Sequence, residues 1–203
     1  MGDNIKSYFV SQTGHVDWSL VVGLSDFTYP WESEAAPTMI FKACHDATWL
    51  YCQFEVSDHD PKVFAETNSK ADVILGDRVE IFFRKDEKLD TYYCLEVDCL
   101  GRVYDYRAHW YRIFEAEWSW QASQLEVDGR KTETGYTVAL TISLKSLQEL
   151  GLLKDNELQV GLFRGKCISR DNMKWISWVS PQSEIPDFHI PSAFGILKLQ
   201  GVR

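Results

Sequence analysis

Apolar and polar residues alternate most strictly between Asp77 and Trp110. D-R-V-E-I-F-F-R and Y-Y-C-L-E-V-D flank a charged loop of seven residues, Lys85 to Thr91. Alternation with a period of two marks half-buried strands, because successive side chains point to opposite faces. Val79, Ile81 and Phe83 share one face with Tyr93, Leu95 and Val97. Arg78, Glu80, Phe82 and Arg84 share the other with Tyr92, Cys94, Glu96 and Asp98. Pairing Arg84 with Tyr92 across the loop sets Glu80 opposite Glu96, a like-charge pair that needs a cation or a polar ligand beside it. A turn at Cys99 to Arg102 leads into V-Y-D-Y-R-A-H-W. Pairing Asp98 with Val103 adds Asp105, Arg107 and His109 to the charged face, with Arg107 central, and turns Tyr104, Tyr106, Ala108 and Trp110 to the apolar one.

The same reading extends along the chain. Tyr8-Phe9-Val10 reads as an edge strand at the start of a long surface entry. Met39 to Cys44 and Trp49 to Val56 read as a hairpin. Trp118 and Trp120 fall at a strand spacing, and Tyr136, Val138, Leu140 and Ile142 form a further strand. Ser143 caps a short helix with Leu144, Leu147 and Leu150 at helical spacing, ended by Gly151. Leu158 to Arg164, Trp175 to Val179 and Phe194 to Leu199 are strands, and the proline-flanked Ile185 to Pro191 is a rigid loop. Ten or so short strands with one helix predict an all-β, jelly-roll-like antiparallel sandwich, taken as a single domain over residues 1–203.

Composition narrows the functions. A net charge of −9 argues against nucleic acid and anionic membranes as partners. No apolar run is long enough for a membrane span. Met1 to Val10 shows no leader, which fits a cytoplasmic protein or an extracellular or periplasmic one whose leader was removed. Five cysteines without a C-x-x-C pair predict mostly free, buried thiols. The eight tryptophans suit sheet faces or a stacking surface for sugars.

Two chemistries compete. Asp58-His59-Asp60 begins a long polar loop and makes it a candidate Ca2+ site with Asp58 the best ligand, although calcium wants six to eight oxygens. Glu80 and Glu96, with Cβ atoms ~5 Å apart, have the separation of a retaining hydrolase pair. A flat sheet face and a nearby Arg107 holding both ionised argue against it.

F-K-A-C-H-D-A-T-W-L-Y-C-Q-F-E-V, D-R-V-E-I-F-F, Y-Y-C-L-E-V-D, G-Y-T-V-A-L-T-I-S-L-K-S-L, V-G-L-F-R and P-S-A-F-G-I-L-K-L follow one another in the order seen in carbohydrate-binding family 9-like modules, of the DOMON-like group of β-sandwiches. The resemblance covers most of residues 38–200. It implies a non-catalytic glycan-binding module for oligo- or polysaccharides, with haem binding the alternative from the wider group, for which Met173 and His109 are the candidate axial ligands. It also implies that Glu80 contacts sugar hydroxyls. The family's partner-strand arginine falls at Glu96, and its two gripping tryptophans fall near Ile74 and Phe188. Trp110, Trp118 and Trp175 are substitute platforms. The expected ligand face is Glu80, Glu96, Asp105, Arg107, His109, Arg164 and Phe188.

Overall fold

The structure, a computed structural model, describes residues 5–67 and 69–201. Of the first ten residues read for a leader, 1–4 lie outside it. Thirteen strands and one α-helix follow in order: β1 (Ser7–Gln12), β2 (Met39–His45), β3 (Trp49–Ser57), β4 (Arg78–Arg84), β5 (Tyr92–Asp98), β6 (Val103–His109), β7 (Ile113–Glu115), β8 (Leu125–Lys131), β9 (Gly135–Ser143), α1 (Leu144–Glu149), β10 (Leu153–Lys154), β11 (Glu157–Ser169), β12 (Asn172–Ser177) and β13 (Gly195–Leu199).

One sheet runs β7-β6-β5-β4-β11-β13-β1, with β10 and β12 also on β11. The other runs β1-β2-β3-β9-β8. Strand β1 belongs to both: Ser7 to Val10 pair in parallel with β13, and Ser11 and Gln12 pair in parallel with β2. It is therefore a stitch between the sheets rather than the expected edge strand. A three-residue apolar run carries no information about how many neighbours it will have.

The sheets bury their facing sides against each other. Leu50, Cys52, Phe54 and Val56 of β3 meet Val79, Ile81 and Phe83 of β4 and Tyr93, Leu95 and Val97 of β5 in one core. The period-two pattern dictates these faces. Ser143 caps α1 by accepting from the Ser146 amide, as expected. Trp118 and Trp120 lie in the irregular segment after β7, not on a strand. Trp120 packs on Phe83 and Tyr93 as a lid on the core. All five cysteines are free and buried. No helix among the described residues is long and apolar enough to cross a membrane.

Candidate functional site

Strands β4 and β5 are buried on both faces, unlike β3, where every second residue is half-exposed. Their outer face carries a second apolar cluster that includes Phe82, Tyr92, Cys94, Tyr106, Phe163, Phe188 and Phe194. The segment that follows β12 folds back over this face. Arg84 Nη1 donates to the Pro191 carbonyl at 2.8 Å, Trp31 Nε1 donates to the Ser183 carbonyl at 3.0 Å, and the Tyr92 hydroxyl meets His189 Nδ1 at 3.0 Å. The face is thus a walled cleft of about 460 Å³ rather than the flat surface expected. Arg78, Glu80 and Glu96 form its floor with Tyr104 and Tyr106; Trp175, Pro186 to His189 and Phe114 form its walls.

Glu80 lies opposite Glu96, in the register with Arg84 against Tyr92. The cation between them is Arg78. Its Nε donates to Glu96 Oε2 at 2.5 Å and sits 3.0 Å from Glu80 Oε1. Burial alone would lower the Arg78 pKa, but the two carboxylates outweigh it and raise the pKa above its usual range. Glu96 is fully engaged, because its Oε1 accepts from the Tyr106 hydroxyl at 2.9 Å. Glu80 is less well served: its buried Oε1 has the 3.0 Å ion pair with Arg78, shared with Glu96, and no further hydrogen-bond partner among the described residues. Burial pushes the Glu80 carboxyl well up from its usual value, and Glu96 adds to the shift against the opposing pull of Arg78. A buried acceptor short of donors costs free energy, and here it faces the cleft. Gly165 stands opposite Arg78. A Cβ there would come within 2.9 Å of Arg78 Nη1, so the guanidinium needs this glycine.

Aromatic rings close the sides. Arg78 Cζ lies 5.2 Å from the Trp175 ring centroid. Phe188 meets Trp175 edge-on at 5.6 Å and stacks on Phe163 at 4.0 Å. His189 is pushed down to about 4 by burial, with the charge of Arg112 acting the same way. It is therefore neutral at pH 7, a polar wall and not a charge. Ile74 and Phe188, the two positions matched to the family's tryptophans, both line the cleft.

Several expected site residues are elsewhere. Strand β6 pairs one residue out of the expected register, with Val97 against Val103 and Glu96 against Tyr104. The turn is the cause. Gly101 takes φ 77°, Asp98 N donates to the Arg102 carbonyl, and Asp98 Oδ1 accepts from the Leu100 and Arg102 amides. This turn with a left-handed glycine inserts one residue, and every side chain of β6 changes face. Tyr104, Tyr106 and Ala108 join Glu80. Asp105, Arg107 and His109 do not. Asp105 accepts from Ser119 Oγ and the Trp120 amide; Arg107 and His109 both pair with Glu115. His109 therefore does not converge with Met173, which lines the cleft.

Arg164 is fully buried on the opposite side of β11, paired with Asp77 at 2.8 Å and with Asp58. The Asp58 carboxylate also binds Lys166, and these cations hold its pKa below the usual value although burial opposes them. Its two positive neighbours make Asp58 the counter-ion of buried arginine instead of an open calcium ligand. Trp118 packs against Tyr93 and Trp120 and offers no platform. Phe188, expected on the ligand face, lines the cleft but is buried in the second cluster. The expected ligand face misses Arg78, which shares the alternating face with Glu80; Tyr104 and Tyr106, hidden by the register slip; and the wall residues Phe114 and His189.

Against known proteins, the model of the carbohydrate family 9 binding domain-like family matches residues 15–202. No curated protein matches the sequence. A candidate carbohydrate-binding protein from Bacteroides uniformis has a similar crystal structure, at 17% identity and TM-score 0.73, covering 97% of this chain and 100% of that one. A family 9 carbohydrate binding module from Caldicellulosiruptor kristjanssonii in complex with glucose is similar at 18% identity and TM-score 0.57, over 98% and 97% of the chains. Its cellotriose complex is similar at 19% identity and TM-score 0.57, over 98% and 95%.

Proposed function

Because the chain belongs to the carbohydrate family 9 binding domain-like family, we propose that it is a carbohydrate-binding module that holds a sugar, without chemistry, in the cleft above Glu80 and Glu96. The observation that carries this reading is the buried Glu80 carboxyl on the cleft floor, whose Oε1 has only the shared Arg78 ion pair and so keeps acceptor capacity toward the cleft, with Trp175 and Phe188 as walls. Vicinal sugar hydroxyls are donors of the right kind for a carboxyl oxygen. Trp175, half-buried beside the floor, is the stacking group in place of the family's pair. The glucose and cellotriose bound by the Caldicellulosiruptor module support a saccharide as the ligand class.

Catalysis is a weaker reading on geometric grounds. A retaining hydrolase needs the reacting sugar carbon between its two carboxyl groups. Here the Arg78 guanidinium occupies that place, within 3.0 Å of both. Residues 1–203 are taken as one such module. A glycan array followed by calorimetry tests the reading. Trp175→Ala and Glu80→Ala should each weaken the best array hit more than tenfold, and unchanged affinity in both would remove the cleft as the site.

A further inference from the structure

The β6–β7 hairpin ends in H-W-Y-R-I-F. Loop tips are usually polar and mobile; this one is neither. Trp110 is 47% exposed and Tyr111 50%, with Ile113 and Phe114 comparably exposed. The Trp110 and Tyr111 rings lie 4.8 Å apart at 56°. Exposed apolar surface of this kind marks an interaction site more often than chance decoration.

The tip is also held in place. The Tyr111 hydroxyl donates to Asp187 Oδ2, Arg112 Nη1 donates to Asp187 Oδ1 at 3.1 Å, and the Trp110 amide donates to the Leu89 carbonyl at 3.1 Å. Asp187 belongs to the wall of the cleft, and Arg112 and Phe114 line it as well. The exposed rings are therefore continuous with the cleft and fixed relative to it. Fixing a surface in advance lowers the entropy cost of binding to it.

We propose that Trp110 and Tyr111 form a second sugar platform, on which a further unit of the glycan rests when the first occupies the Glu80 cleft. The apolar C–H face of a pyranose suits such rings, and a chain leaving the cleft past Phe114 meets them first. The inference rests on the sugar reading of the cleft. It makes the ligand an oligosaccharide rather than a monosaccharide. Trp110 sets that preference.

Calorimetry with glucose and cellotriose on the parent and on Trp110→Ala tests it. The parent should bind cellotriose at least tenfold more tightly than glucose. Trp110→Ala should lose most of that advantage while its glucose affinity stays within twofold. Cellotriose should change the tryptophan fluorescence beyond the change glucose makes through Trp175, and the variant should lose that excess. A variant that keeps the full cellotriose preference overturns the platform and leaves the cleft intact. A variant weakened equally for both sugars overturns it too, since the tip then acts through the cleft wall. If the parent binds neither sugar while remaining folded, the cleft reading fails for these glucans and the platform falls with it.

Discussion

Replacing Glu80 with glutamine should make the protein more stable, and only at high pH. Glu80 and Glu96 face each other across β4 and β5, with Cβ atoms ~5 Å apart. At an effective dielectric of about 20, two unit charges at that distance repel by about 3 kcal/mol. Arg78, 3.0 Å from Glu80 Oε1, returns about 5 kcal/mol on the same basis. Burial of an ionised carboxylate adds a penalty of roughly several kcal/mol. Penalty and repulsion together exceed the attraction, in keeping with the raised Glu80 pKa, whose largest cause is burial. A carboxyl whose pKa is higher folded than unfolded stabilises the fold while it stays protonated. That contribution is complete below the ordinary carboxylate value and is lost as pH rises through the folded value. Glutamine does not titrate. The variant should match the parent near pH 5 and exceed it by about 1–2 kcal/mol near pH 9. For a domain of this size that is a Tm rise of roughly 4 °C. Thermal scans of both proteins at the two pH values decide it. An equal difference at both, or a variant less stable at pH 9, would refute the electrostatic account of the cleft floor. Stability gained by neutralising a group that serves binding is a familiar trade.

Arg78→Ala leaves two buried carboxylates without their cation and should cost about 3–5 kcal/mol in urea unfolding at pH 7. Gly165→Ala crowds Arg78 Nη1 and should weaken the array hit while costing about 1–3 kcal/mol of stability, the scale of overpacking. Arg164→Ala should destabilise on the scale of Arg78→Ala, since it strands buried Asp77 and takes one of the two cations from Asp58, yet the surviving folded fraction should bind sugar as the parent does. Phe188→Ala should cost about 3–5 kcal/mol, because it empties a buried stack and not a rim. Calcium or a chelator should leave Tm unchanged, Asp58 being neutralised by Arg164 and Lys166; a Tm that rises with calcium would restore the metal reading.

The faces of β4 and β5 were legible because strict alternation leaves one arrangement that buries Ile81 and Leu95 together. The charged pair followed from it. Strand β6 was not legible, because its face depends on one residue in a turn, and D-C-L-G-R is compatible with either count. Arg107 was favoured as the central cation when Arg78, two residues from Glu80 on the same strand, has the shorter tether. Of the walls, only Phe188, through the resemblance, and Trp175, as a substitute platform, were legible. Phe188 and His189 reach Phe163 and Tyr92 across the chain, and no local pattern encodes such a contact. Arg164 looked like a strand-end charge because nothing near it in sequence announces Asp58 and Asp77 as partners.

Strand β1 lies parallel to β13, with Ser7 to Val10 against Ile196 to Leu199. A pull applied through the chain before β1 and after β13 runs along both strands in opposite directions. The four paired positions then bear the load together, in shear, instead of opening one at a time like a zipper. Whatever tension reaches the module through its flanking chain falls first on this clamp. The clamp lies where the two sheets share β1, while the cleft sits over β4, β5 and β6.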